Sequence, residues 1–415
     1  MEYAEPQGGL QMSELTRRSF LKTTTAAGLA SLPAACVLAT PSSEDPLGIR
    51  GEFPVTDGLA YLNSASVGPL SRTVRDAIAA YADEKMLYRN PGNRRITKAN
   101  ARAKFANLFG ADEDEIAFLY SSSDGENIVV SALDWKAGDN IVLDELHFTT
   151  SFVLYRELEK RVGVELRIVP SRGGRARVED FEAMVDARTR LLSVAWVSNR
   201  NGFRYDLPSL GELAHAHGAY LYADAVQAFG AFPMNLHAEG VDFACGNGYK
   251  WLFADFGCAP MYVRREHLEW MPPDRYGHGQ VAETLPNHQF RLKTSAEKFE
   301  YASNANGPIA AMDAALDLLA EVGLDRIEKH TAALAGQLYA GVAELGLDLF
   351  TPPDNRSSIV SFYHGLDSAT LSNALAAENV PVTFQEEGRL LRSAVAMFNN
   401  QSDVDQLLGV LAKLV

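Results

Sequence analysis

The sequence is short of cysteine and of basic residues, and it has no long uninterrupted apolar run. Its three cysteines, Cys36, Cys245 and Cys258, have neither metal-ligand spacing nor the look of a disulfide framework. Lys and Arg number 38 against 53 Asp and Glu, a formal net charge of −15. A chain so acidic is poorly suited to nucleic acid or to anionic membranes, so neither is expected as a partner. Internal repeats and low-complexity tracts are also missing. What is present, 47% hydrophobic and 22% charged residues over 415 positions, suits a globular protein with two lobes and a large core.

The first 40 residues stand apart. Thr16-Arg17-Arg18-Ser19-Phe20-Leu21-Lys22 matches the twin-arginine export signal, and the apolar run after it contains Thr, Ser, Gly and Pro. That run is too short and too polar for a stable membrane span. The expectation is a signal peptide over 1–40, read by the twin-arginine translocation machinery, and a periplasmic or secreted product. Cleavage after Ala39 fits. Pro33 disfavours lipid attachment at Cys36, and Met12 would give a shorter leader.

Residues 41–50 (PSSEDPLGIR) read as a linker and 51–70 as an N-terminal segment ending in a strand and turn through Asn63. Ser71 is placed to cap a helix reaching about Lys85. From Ala117 to Val263 the apolar runs AFLY, NIVLD, ELRIV, LLSVAWV, AYLYAD, DFACG and APMYV alternate with helical patterns. Alternation of that kind predicts an α/β domain over 71–300 with a mostly parallel sheet. Arg264 to Phe299 reads as a long loop over the site. From 301 to 415, helices and short strands predict a smaller α+β domain.

The chemistry concentrates between Asp224 and Lys250. Asp224 closes the run AYLYAD, and Lys250 follows the next run in Gly246-Asn247-Gly248-Tyr249-Lys250-Trp251. An acid and a lysine at the ends of neighbouring strands are what pyridoxal 5′-phosphate (PLP) chemistry needs. The acid keeps the pyridine nitrogen protonated, and the lysine amine forms a Schiff base with the aldehyde. Upstream, Tyr120-Ser121-Ser122-Ser123-Asp124-Gly125-Glu126-Asn127 offers hydroxyls and helix N–H groups to a phosphate. Further landmarks are Glu145-Leu146-His147-Phe148-Thr149, Val197-Ser198-Asn199, Lys298-Phe299-Glu300-Tyr301-Ala302-Ser303 and Leu391-Arg392-Ser393 with Met397-Phe398-Asn399 and Asp403.

In this order the landmarks resemble the class V aminotransferase group of fold type I PLP enzymes, which includes cysteine desulfurases, kynureninases and isopenicillin N epimerase-like proteins. The likeness runs from about Gly51 to the C-terminus. It implies a seven-stranded sheet in the large domain and a homodimer with shared sites. Ser122, Ser123, Asn247 and Tyr249 would serve the phosphate, with Ser303 reaching it from the partner subunit. His147 would stack on the ring and take part in catalysis with Asp224 and Lys250. Asn199 and Gln227 would bond the phenolic oxygen, and Val226 would pack on the ring. Arg392 would grip a substrate carboxylate in two parallel bonds, with Asn63 nearby. The chain departs from the family pattern at Asn247-Gly248-Tyr249, where Ser-x-His is usual, and at Ala302-Ser303.

The resemblance implies an amino acid or amine substrate and transamination, epimerisation or β-elimination, among which the sequence does not choose. The alternatives are cysteine desulfurase or C–S lyase-like activity, or a non-catalytic PLP-fold binding protein. A desulfurase of this family carries its nucleophilic cysteine shortly before the carboxylate-binding arginine. Val382 to Arg392 contains none. Cys245 lies in an apolar strand, as a buried structural thiol would.

Overall fold

The computed structural model describes residues 38–415. The twin-arginine motif, the apolar run behind it, Met12 and Cys36 lie outside the described residues. The runs that read as continuously apolar build the central sheet: β1 (Ile116–Leu119), β2 (Asn140–Asp144), β3 (Glu165–Val169), β4 (Thr189–Ala195), β5 (Tyr220–Asp224), β6 (Phe243–Cys245) and β7 (Ala259–Val263). Their order is β1-β7-β6-β5-β4-β2-β3. Only β7 is antiparallel to its neighbours; the pairs from β6 to β3 are parallel. Every residue of β1, β2 and β7 is buried, because helices cover both faces. That is why these strands show no apolar–polar alternation.

Seven helices belong to this layer: α1 (Arg72–Met86), α2 (Asn93–Phe109), α3 (Ser122–Ala132), α4 (Thr149–Val162), α5 (Val178–Glu182), α6 (Leu207–Ala216) and α7 (Asn306–Val322). The Ser71 hydroxyl accepts the Val74 N–H at 3.1 Å and starts α1. One face of the sheet packs Phe105, Trp196, Phe229 and Phe232, the other Tyr155, Tyr222, Phe243 and Phe299. α7 packs on α1 and α2, which ties it to the large layer although the sequence reading assigns it to the smaller domain.

The stretch from Arg264 to Phe299, read as a loop, contains a hairpin of β8 (Val281–Leu285) and β9 (Gln289–Leu292). Most of its side chains are exposed, so the pattern that reveals a half-buried strand is missing. The smaller lobe combines α8 (Leu324–Glu344), α9 (Ser368–Ala377) and α10 (Gln401–Ala412) with an antiparallel sheet. That sheet has β10 (Asp348–Leu349), β11 (Ile359–Tyr363), β12 (Thr383–Gln385) and β13 (Leu390–Ala394) in the order β10-β11-β13-β12. It has its own core of Leu334, Leu338, Phe362, Leu391 and Leu407.

The segment read as a linker is tied down. The Asp45 carboxylate accepts the N–H groups of Ile49 and Arg50 at 2.9 and 3.0 Å. Arg50 then meets both oxygens of Asp403 at 2.8 and 3.0 Å. Leu47 and Ile49 are buried beneath it.

Candidate active site

Parallel strands point their C-terminal ends to one edge of the sheet, where ligands of open α/β folds collect. There, Asp224 ends β5, Asn199 follows β4, and Ser122 opens α3 just after β1. Together with Lys250 they bound a cavity of about 260 Å³ whose wall also includes Ser123, Val226, Gln227, Asn247 and Tyr249.

Local chemistry sets each position. Ser121 caps α3: its Oγ accepts the Asp124 N–H at 3.3 Å. Ser122 and Asn247 bond reciprocally, with the Ser122 N–H donating to Asn247 Oδ1 and Asn247 Nδ2 donating to Ser122 Oγ, both at 3.0 Å. Asp224 Oδ1 accepts the Val226 N–H at 2.9 Å. The Gln227 amide is held at both ends, donating to Ala65 O at 3.0 Å and accepting from Trp251 Nε1 at 2.7 Å. One Nε2–H remains for a ligand. Tyr249 stacks on Phe256 at 3.9 Å between ring centroids.

The lysine turn is clasped from the N-terminal segment. The Gly68 N–H donates to Tyr249 O at 2.7 Å. A Cβ on Gly68 would run into the Lys250 carbonyl. Burial lowers the Lys250 amine to about 8; the Arg392 charge adds to that and Asp224 opposes it. Asp224 is shifted the other way, pushed up by burial against the Val226 N–H and the Lys250 charge.

Arg392 is buried on β13, beside this cavity but not on its wall. Nη1 donates to Asn199 O at 3.0 Å, and Nη2 reaches the Ser66 and Thr383 hydroxyls. Nε has no partner. Asn63 joins the group by accepting from Thr383 Oγ1 at 2.6 Å.

Two expected residues are placed elsewhere. His147 does not line the cavity. It is buried, its Nδ1 accepts the Phe148 N–H at 2.8 Å, and its Nε2 meets Ser193 Oγ at 3.1 Å. Burial drives its pKa down to about 3. Phe148 takes the wall position instead, because α4 begins at Thr149 and the turn before it sends His147 inward. The stacking assignment to His147 is therefore corrected. Ser303 lines a neighbouring cavity of about 240 Å³, which shares Tyr120 and Gly257 with the first. Its segment is anchored by Glu300, whose Oε1 accepts from Arg102 Nη2 and the Phe118 N–H, both at 2.9 Å.

Sequence reasoning missed Phe148, Ser66, Thr383 and Glu126. The first is visible only as the neighbour of His147, and Glu126 only as a member of the serine-rich loop. Ser66 and Thr383 carry no local signal.

The wall chemistry fits PLP. The α3 N-terminus with its serines suits a phosphate, Asp224 a pyridinium and the Lys250 amine an aldehyde. Asn199 Oδ1 is buried there without a hydrogen-bond partner, a polar atom left for a ligand. The profile of the aminotransferase class-V family matches residues 61–407. The chain belongs to that family. It is a PLP-dependent enzyme with the α/β fold of its relatives. A probable cysteine desulfurase of Methanothermobacter thermautotrophicus is 27% identical, covering 87% of this chain and 96% of the relative. A cysteine desulfurase of Escherichia coli is 28% identical, covering 88% and 97%. Among solved structures, the apo cysteine desulfurase from Thermococcus onnurineus superposes with a TM-score of 0.82 at 22% identity, covering 90% of this chain and 99% of that one. The cystine C-S lyase C-DES, in complex with its product cysteine persulfide, gives 0.81 at 20%, covering 87% and 99%.

Proposed function

We propose that this enzyme acts at the α-carbon of an amino acid, taking the substrate amine at Lys250 and the carboxylate at Arg392. Arg392 carries the reading. It is a buried guanidinium with an unpartnered Nε, and its bonds go to two hydroxyls and a carbonyl, never to a carboxylate among the described residues. A buried charge left uncompensated is costly unless a ligand neutralises it. A substrate carboxylate can displace the Ser66 and Thr383 hydroxyls and supply two parallel bonds.

When bound, PLP supplies the aldehyde for the substrate amine and the electron sink for the α-carbon. Asp224 would pair with the ring nitrogen and favour its protonated form. Lys250, partly neutral near pH 8, takes the α-proton and returns it. Transamination, epimerisation and β-elimination diverge at the next step: the proton would go to the former aldehyde carbon, return to the opposite face of the α-carbon, or be forestalled by loss of a β-substituent. The names of the relatives make cysteine and cystine the first substrates to try. Among the described residues no thiol is exposed to receive sulfur: Cys245 and Cys258 are both buried, Cys258 at the wall of the neighbouring cavity. C–S cleavage here would be a β-elimination.

The test is a screen of amino acids with purified holoenzyme, reading the cofactor spectrum, keto acid release and solvent deuterium at Cα. Equal turnover of an amino acid and its decarboxylated amine would refute the Arg392 reading. We further propose a homodimer, with Ser303 facing the partner's site, checked by sedimentation. Export through the twin-arginine machinery is the matching proposal for the N-terminus. Replacing Arg17 and Arg18 by Lys should hold the protein in the cytoplasm of a bacterial host.

A further inference from the structure

The cavity contains a second carboxylate for which the reaction as described has no use. Glu126, on α3, lines the same wall as Asp224, is buried, and has no hydrogen-bond partner on Oε1. Every element packed around it can be named. β5 presents Asp224 and Tyr222, β6 Cys245 and α4 Tyr155, with the Ser151 hydroxyl beside the carboxyl. β1 adds only Ile116, Ala117, Phe118 and Leu119. Tyr262 of β7 belongs to the core on the opposite face of the sheet.

A buried hydrogen-bonded group lies beside this carboxyl. His147 Nδ1 accepts the Phe148 N–H, so the neutral ring carries its proton on Nε2 and donates to Ser193 Oγ at 3.1 Å. Tyr155 Oη lies 2.8 Å from that same oxygen. Tyr155 donates to Ser193, and its hydroxyl also lies beside the Glu126 carboxyl. The Ser151 and Tyr155 hydroxyls beside it favour the carboxylate, whereas burial and the Asp224 charge favour the neutral acid. Burial raises its pKa to about 7; the Ser151 and Tyr155 hydroxyls oppose the rise and Asp224 adds to it.

We propose that Glu126 is a titrating positioning residue that acts through Asp224 on the charge at the ring-nitrogen end of the cavity. When neutral, it leaves Asp224 as the only anion there. When ionised, it adds a second negative charge beside Asp224, and a protonated ring nitrogen would be held more tightly. This rests on the PLP reading of the cavity.

The test uses apoprotein with PLP and with its 1-deaza analogue, whose ring has carbon in place of nitrogen. Affinities are measured for the wild type and Glu126→Gln between pH 5.5 and 8.5. The two proteins should bind PLP alike at the acid end. At the alkaline end the wild type should bind about fivefold or more tightly than the variant, as expected for a charge pair several ångströms apart at intermediate dielectric. For the deaza compound the ratio should stay flat. Taking a ratio cancels the titration of PLP itself. Tyr155→Phe, which removes the hydroxyl beside the carboxyl, should move the midpoint of the wild-type response to higher pH. An equal pH response in wild type and Glu126→Gln, or a ratio that changes as much with deaza-PLP, would overturn the proposal and leave the PLP reading standing. Failure of the wild type to bind PLP at Lys250 would overturn both. Thermal melts of the apoproteins supply an arm free of ligand. The wild type should lose stability relative to Glu126→Gln as pH rises from about 5 to 7, because only the folded wild type keeps a proton on Glu126 there. Parallel curves would count against a titrating Glu126.

Discussion

Arg392 stands close enough to Lys250 for its charge to help burial hold the lysine amine down to about 8. The residue proposed to hold the substrate carboxylate also helps make the amine nucleophilic. Two measurements follow from that coupling. Arg392→Gln should shift the pH profile of PLP incorporation to higher pH, since the neutral amine is the reacting form. For substrates with an α-carboxylate, kcat/KM should fall by an amount equivalent to about 2–3 kcal/mol, while a matching amine is little affected. An unshifted incorporation profile would separate the two residues.

Asp224→Asn should retain PLP on Lys250 yet exchange the α-proton of a bound amino acid on the order of 100-fold more slowly. The loss follows from a neutral amide facing the ring nitrogen. Proton exchange read by NMR, alongside cofactor occupancy by absorbance, distinguishes this from a cavity that no longer binds. Exchange at the wild-type rate with full occupancy would remove Asp224 from its assigned place.

The strands were legible because burial on both faces leaves an apolar run, and β2 and β7 match the runs NIVLD and APMYV. Asp224 and Lys250 were visible for a related reason, as charged residues closing such runs. The surroundings of Arg392 were not. Ser66 and Thr383 come from segments far apart in sequence, and only the fold brings them to one guanidinium. The misplacement of His147 has a smaller cause. One residue decides which side chain of a tight turn faces the cavity, and neither the histidine nor the phenylalanine carries that information. Glu126 was visible only as a member of the serine-rich loop, since its burial against Tyr155 and Tyr222 depends on α4 and β5. The hairpin of β8 and β9 escaped because exposed strands lack an apolar face.

Acid should unfold the protein partly through Asp242, away from the active site. Its carboxylate meets His215 Nε2 at 2.8 Å and His267 Nε2 at 2.7 Å, and accepts the Leu221 N–H at 2.7 Å. Burial would raise its pKa, but the two histidines and the amide outweigh burial and lower it to about 2. The folded state therefore binds this proton less readily than the unfolded chain. The stabilisation is complete above about pH 4 and is lost as pH falls toward 2. His215 works in the opposite sense. Its pKa is raised by the bond to Asp242, so its contribution holds at low pH and is lost as pH rises past its folded value. Asp242→Asn should cost about 2–3 kcal/mol at pH 6 and flatten the acid limb of the stability curve. An unchanged acid limb would show that Asp242 is not responsible.

A reactive thiol is what divides desulfuration from β-elimination. A sulfur-accepting thiol must be exposed and readily ionised. Cys245, in β6, is fully buried against Gly125, and burial, with Asp224, Asp124 and Glu126 adding their charges, drives its thiol well up. Cys258 is buried too and is pushed up chiefly by desolvation, with Glu300 adding to the shift. The interval before Arg392 contains no cysteine at all. Incubation with L-cysteine should therefore leave no persulfide on Cys245 or Cys258, and Cys245→Ser and Cys258→Ser should turn over amino acids within about twofold of the wild type, as changes in buried residues that do not react should. Mass spectrometry of the trapped protein reads the first outcome and steady-state kinetics the second. A persulfide on either thiol that forms and discharges at the rate of turnover would move the enzyme to desulfurase chemistry. Without one, sulfur leaves L-cysteine as hydrosulfide, the result that β-elimination requires.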